Sequence, residues 1–224
     1  MKQLLILASA TIALVACENA EQGAPPQSQP AAMQAPAAPA ASAAAPAEAN
    51  ASPTWITLFS GVSLDGWNRV GDANWHITDN YVEADSGVGF LVTPGAYSDF
   101  HLRVEFWVDD PANSGVFIRC SSTEDLSAET CYEVNVYDHR PDQAYRTGAI
   151  VDVAEPMAQI DAADHWNTFE ITAEGPRLMV RLNGTLTVDT EDTKHVSGPI
   201  GLQYNAGVDG KGVVRFRNVQ LIPL

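Results

Sequence analysis

From Asp99 to Val108 the chain reads DFHLRVEFWV, and apolar side chains return at every second position. Phe100, Leu102, Val104, Phe106 and Val108 share one side, and His101, Arg103, Glu105 and Trp107 take the other. A period of two belongs to a strand with one buried face. WITLF, NWHI, YVEA, GFLV, SGVFIRC, CYEVNVYD, GAIVDV, WNTFEITA, RLMVRLNG, TLTVDT, PIGLQYN and VVRFRNVQLI are also short and rich in β-branched or aromatic residues. Gly, Asn, Asp and Pro punctuate them. Asn183–Gly184 joins two such runs and predicts a hairpin. SAET and EPMAQID allow a single helical turn at most. The pattern predicts an all-β sandwich or barrel, with no repeat.

The second face of these strands is unusual. In CYEVNVYD, Tyr132, Val134 and Val136 point one way, and Glu133, Asn135 and Tyr137 the other. In SGVFIRC, Val116 and Ile118 oppose Phe117 and Arg119. In PIGLQYN, Ile200, Leu202 and Tyr204 oppose Gln203 and Asn205. A plain solvent face carries Lys, Glu and Thr. Here Trp107, Phe117 and Tyr137 stand among acids and amides. Rings beside amides and acids suit a sugar, and a curved sandwich holds ligands on its concave face. The alternative is that loops cover the rings.

The alternating runs begin only at Thr54. Residues 1–16 have a basic Lys2 and an apolar stretch too short to span a bilayer, as a secretory signal does. LVAC at its end resembles a bacterial lipobox, which places a lipid on Cys17. Residues 17–53 read as a tether: 22 of the 36 residues from Glu18 to Pro53 are Ala or Pro. As a coil it averages about 35 Å end to end. Glu18, rather than Asp, after the Cys resembles the sorting pattern of Gram-negative outer-membrane lipoproteins. The expected location is the periplasm or outer membrane, with the membrane as a partner through the anchor.

Residues 54–224 are then one domain, long enough for a full core. Loss of Lys2 with the signal leaves 11 basic residues against 28 acidic ones, a net charge of −17. That balance argues against nucleic acid as a partner, because phosphates would go unneutralised. Cys120 and Cys131 remain as an even pair in an oxidising compartment, flanking SSTEDLSAET. They predict a disulfide.

The blocks LFSGVSLDGW, NSGVFIR, YEVNVYD, RTGAI, HWNTFEI, LNG, GPIGLQ and VRFRNVQLIPL, in this order, resemble the 3-keto-disaccharide hydrolase domain family. The resemblance covers Trp55 to Leu224. It implies a concanavalin A-like jelly roll of two curved antiparallel sheets, with the site on the concave one. It also implies cleavage of glycosides whose sugar is oxidised at C3, a 3-keto saccharide. The family usually carries Gln where this chain has Asn135, one methylene shorter.

A C3 ketone acidifies the C2 proton, so a carboxylate can remove it and the enolate can expel the C1 substituent. Such chemistry needs a base, donors for the enolate oxygen and an acid for the leaving group. The expected base is Glu133, with Arg119 on the enolate and Asp138 or His139 on the leaving oxygen. Asn113, Asn135, Thr147 and Gln203 would orient hydroxyls, with Trp107 and Tyr137 as rings. No cofactor is certain; Glu133, Asp138 and His139 are the set that would hold a divalent ion, although no spacing demands one. E-x-N-x-x-D from Glu133 also resembles the E-x-D-x-x-E of jelly-roll β-glucanases, but with an amide in the middle and a shorter last acid. A non-catalytic carbohydrate-binding lipoprotein and a scaffold are the readings from other classes.

Overall fold

The computed structural model describes residues 54–206 and 211–224; the signal, Cys17 and the tether lie outside the described residues. The described residues form thirteen strands. They are β1 (Ile56–Phe59), β2 (Asn68–Gly71), β3 (Trp75–Thr78), β4 (Tyr81–Ala84), β5 (Val88–Val92), β6 (Phe100–Val108) and β7 (Ser114–Ile118). β8 (Tyr132–Val136), β9 (Trp166–Glu174), β10 (Arg177–Leu182), β11 (Thr185–Glu191), β12 (Gly201–Asn205) and β13 (Val214–Pro223) follow, with one 3-10 turn at Gln143–Tyr145. One sheet runs β11-β10-β9-β6-β13-β4-β3, with β1 also on β13; the other runs β2-β5-β12-β7-β8. Every strand pair is antiparallel. This is the expected jelly-roll sandwich.

The alternating pattern sets what lies between the sheets. Phe100, Leu102, Val104 and Phe106 of β6 are fully buried. Phe106 stacks on Phe169 of β9 with ring centroids 4.7 Å apart. Val116, Ile118, Tyr132, Val134, Val136, Leu202 and Tyr204 supply the opposing layer from the five-stranded sheet. Burying each of the larger side chains contributes roughly 1.5–3 kcal/mol. The hairpin falls at Asn183–Gly184, whose φ values of 52° and 80° suit a two-residue turn of the primed type.

Two local expectations are corrected. NRVG is a strand, β2, at the edge of the smaller sheet. Its exposed positions hide the alternation that a buried face would print. GAIVDV is not a continuous strand. Gly148 and Asp152 take positive φ, and the segment instead hangs on the edge of β8. Gly148 N donates to Asn135 O, Ala149 O accepts from Asn135 N, and Val151 N donates to Glu133 O.

Trp107 is also corrected. It lies on β6 in the eight-stranded sheet, not on the sheet that carries Glu133. The Arg215 guanidinium covers its ring at 4.2 Å, and Arg217 covers Trp166 at 3.9 Å. Both arginines also pair with acids, Glu83 and Glu105. The rings on this outer face are therefore occupied by the chain's own cations.

Cys120 and Cys131 form the disulfide, as expected. It closes the loop that carries Leu126 across the smaller sheet. In the chain-entropy account such a short loop contributes about 3 kcal/mol. Reduction should lower the melting temperature by several degrees, read by calorimetry with and without a thiol reductant.

Candidate functional site

The outer face of the five-stranded sheet can be read row by row from the register. Glu133 stands opposite Phe117, which stands opposite Gly201, which stands opposite Val92. Asn135 stands opposite Gly115, and Gln203 opposite Phe90. Asn113 bridges Asn205, so continuation of the β7–β12 register puts Gln203 beside Gly115. Four polar side chains, Glu133, Asn135, Gln203 and Asn113, thus surround a residue with no side chain.

Gly115 makes the dip in this floor. A Cβ there would lie 3.1 Å from Phe117 Cε2 and 3.3 Å from Glu133 Cγ. A glycine at an alternating strand position marks such close approach. Gly115→Ala should push the Glu133 side chain out of place. The expected result is a several-fold rise in the apparent dissociation constant for a bound ligand, by calorimetric titration, with a near-native melting temperature.

Glu133 is buried, at 8 % exposure. Among the described residues no group donates a hydrogen bond to its carboxyl. Burial is the main reason its pKa is pushed up to about 7; Arg140 pulls it down and Asp152 pushes it further up. Near neutral pH the group is poised between acid and carboxylate.

The amides beside it are short of partners. Asn135 Nδ2 donates to Tyr145 O at 2.5 Å, which fixes the amide and leaves Oδ1 buried and unpaired. Asn113 Oδ1 and Gln203 Oε1 are also buried without partners. Buried acceptors left unpaired cost about 1–3 kcal/mol each unless a ligand or water supplies donors. Three of them on one face of the sheet suit a molecule carrying several hydroxyl donors.

One end of the floor is closed and apolar. Val92, Phe117, Cys120, Leu126 and Cys131 pack together with Val70 and Phe90. Phe90 and Phe117 meet edge to face at 5.1 Å. Leu126 fills the space over Gly201. Phe117 is thus covered by a loop rather than open to a ligand. Tyr137 follows β8 and is half-buried.

Several expected residues have other work, and their roles are corrected. Arg119 donates to the carbonyls of Ser98, Gly175 and His195 and to Asp99 Oδ1, so its guanidinium is spent on loops at one end of the sandwich. Asp138 accepts from Thr147 Oγ1 at 2.5 Å and from the backbone N–H groups of Ala162 and Ala163 at 2.7 and 3.0 Å. Asp138 and Thr147 therefore anchor a loop together and are not offered to a ligand. His139 is exposed and pairs with Asp110 at 2.7 Å. Glu133, Asp138 and His139 are not gathered as a metal set, and among the described residues no group of three or more His, Cys, Asp or Glu is placed to hold an ion.

Sequence reasoning missed Gly115 and Arg140. Gly115 lies in the strand SGVFIRC with the parity of Phe117, but without a side chain it gave no polar or aromatic signal. Arg140 carried no signal, being one residue of a loop after β8. A separate cavity of about 190 Å³ beside Trp67 and Tyr97 shares no lining residue with the floor. It is smaller than the usual ~300–1,000 Å³ of ligand sites.

A two-sheet jelly roll with a polar floor on its smaller sheet defines this protein's class, that of the concanavalin A- and galectin-like sandwiches. The chain belongs to the family described as the 3-keto-alpha-glucoside-1,2-lyase-like domain, whose model matches residues 54–222. No curated protein matches it in sequence. Among solved structures it is similar to a protein provisionally named a glycosyl hydrolase from Parabacteroides distasonis ATCC 8503. That match has 24% identity, covers 76% of this chain and 100% of the other, and has a TM-score of 0.62. The carbohydrate-binding module CBM66 of Bacillus subtilis shares 22% identity over 70% of this chain and 95% of its own, with a TM-score of 0.53. A galectin-like fold from Bacillus subtilis shares 14% identity over 75% and 94%, with a TM-score of 0.50. At these identities the structural likeness speaks for the fold.

Proposed function

We propose that this domain binds a saccharide oxidised at C3 and cleaves its glycosidic bond by elimination, with Glu133 as the base. The observation that carries the reading is a buried carboxyl without a hydrogen-bond partner among the described residues, its pKa pushed up to about 7, on the same sheet face as three unpaired amide oxygens. The family description, a lyase acting across C1 and C2 of 3-keto-alpha-glucosides, supports it. So do the similar structures named for glycosyl hydrolysis and carbohydrate binding.

The reaction follows from the chemistry of the ketone. Glu133 takes the C2 proton, and the C–H electron pair becomes the C2–C3 double bond of an enolate. The enolate collapses back to the ketone, forms a C1–C2 double bond and breaks the C1–O bond. The departing oxygen takes a proton from water, and water adding across C1 and C2 completes a net hydrolysis. In an α-glucoside the C2 hydrogen and the C1 oxygen lie on opposite faces of the ring. A base beneath the ring then expels the aglycone toward solvent, away from the floor. The ketone matters because an unoxidised C2–H is far too weak an acid for a carboxylate.

A panel of 3-keto glycosides and their unoxidised parents, with product analysis, tests this. Cleavage confined to the oxidised members is expected. The alternative is a non-catalytic carbohydrate-binding lipoprotein, since unpaired amide acceptors require only hydroxyl donors. It predicts binding of both sets and cleavage of neither.

From the LVAC segment before Cys17 we also propose that the chain carries a lipid anchor at Cys17, in the periplasm or at the outer membrane. Two or three acyl chains give stable attachment. Cys17→Ala should move the protein from the membrane pellet to the soluble fraction after cell lysis and centrifugation.

A further inference from the structure

The proposed reaction needs a cation or strong donor where the enolate oxygen forms, and Arg119 does not supply one, being locked to three carbonyls and Asp99. Arg146, the next basic residue near β8, is buried and pairs with Asp161. Arg103, Arg177, Arg215 and Arg217 are paired with acids of the other sheet. Arg140 differs from all of these. It is half-buried, and among the described residues its guanidinium makes no hydrogen bond and no ion pair within 4 Å.

Its backbone is held while its side chain is not. Arg140 N donates to Tyr137 O, and Gln143 Nε2 donates to Arg140 O at 2.6 Å and to Asp138 O at 3.1 Å. Pro141 follows, and a proline disfavours helical φ/ψ at the residue before it. The loop it stands on leaves the end of β8; Tyr145 O, five residues on, accepts from the Asn135 amide, and the returning segment Gly148–Val151 bonds the edge of β8 at Asn135 and Glu133. Among the described residues Arg140 is the cation whose charge acts on the Glu133 carboxyl.

We infer that Arg140 is a catalytic residue of this site, its guanidinium pairing with the C3 oxygen as that oxygen gains charge in the enolate. This rests on the function proposed above. Its free donors suit an oxyanion, and a partly desolvated arginine binds developing charge more strongly than one in water. When Glu133 removes the C2 proton, the electron pair ends on the C3 oxygen, and Arg140 holds that charge until the C1–O bond breaks.

The test compares wild type, Arg140→Gln and Arg140→Lys on a 3-keto glucoside across pH. Arg140→Gln should lower kcat about 10²–10³-fold with little change in KM, and Arg140→Lys should restore part of it. The lower pH midpoint of kcat/KM, which reports Glu133, should move upward in Arg140→Gln because its cation is gone. Melting curves should match wild type. An active wild type with Arg140→Gln within about threefold of it overturns this inference alone. A wild type inactive on every 3-keto glycoside overturns the functional reading beneath it, and this inference with it.

Discussion

Replacing Glu133 by Gln should lower turnover of a 3-keto glycoside by about 10²–10⁴-fold while leaving ligand binding within a few-fold. The same change should stabilise the protein at alkaline pH. The folded Glu133 has its pKa raised from 4.5 to about 7, chiefly by burial. Below 4.5 the carboxyl is protonated in both the folded and unfolded chain, and no penalty exists. As pH rises from 4.5 toward 7, the unfolded chain releases the proton first and gains on the folded one. Above 7 the penalty is complete, on the order of 3 kcal/mol. Glu133→Gln removes it, so its melting temperature should exceed wild type by several degrees at pH 8 and match it at pH 4. Wild-type kcat/KM should rise with pH through a midpoint near 7, because the base must be ionised. Opposite effects on activity and stability from one substitution separate a functional acid from a structural one. A structural ion pair would lose stability, and among the described residues Glu133 has no such partner.

Arg119→Ala should give the reverse result. Arg119 is 1 % exposed and adopts φ 50°, a conformation that L residues seldom take. Its Nε donates to Ser98 O at 2.6 Å, its Nη1 to Gly175 O at 2.7 Å, and its Nη2 to Asp99 Oδ1 at 2.9 Å. Ser98 and Asp99 precede β6, Gly175 sits between β9 and β10, and His195 precedes β12. One side chain therefore fastens three loops at one end of the sandwich. Removing it takes the donor from those carbonyls and opens a cavity, while Asp99 Oδ1 keeps its bond from Gly175 N. Asp99 is 41 % exposed on its side chain and is rehydrated, so the cost lies mainly in the buried carbonyls, at about 1–3 kcal/mol for each left unpaired. Urea unfolding should show that loss, while kcat of the folded fraction stays within about threefold of wild type. Normal stability with lost turnover would return Arg119 to the site.

The fold was legible because its strands are half-buried. β6 prints apolar and polar positions in strict turn, since one face meets the core and the other does not. β2 did not print, because an exposed edge imposes no such pattern. Glu133, Asn135 and Gln203 were legible as polar residues of matching parity on strands that are otherwise apolar. Parity alone cannot say which sheet a strand joins, and so Trp107 was grouped with the wrong face. Arg119 shares parity with Phe117, yet its positive φ turns it away from the floor. Asp138 and Thr147 look like ligand groups in the sequence, and only the fold shows that each satisfies the other. Arg140 became visible as a candidate once the other arginines near β8 had been accounted for by their partners.

The most direct measurement compares cleavage of a 3-keto α-glucoside carrying hydrogen at C2 with one carrying deuterium there, in wild type and Glu133→Gln. Slower wild-type cleavage of the deuterated substrate, with cleavage by either nearly lost in Glu133→Gln, is the predicted result. Equal rates for the two isotopes, together with undiminished cleavage by Glu133→Gln, would contradict proton removal by this carboxyl.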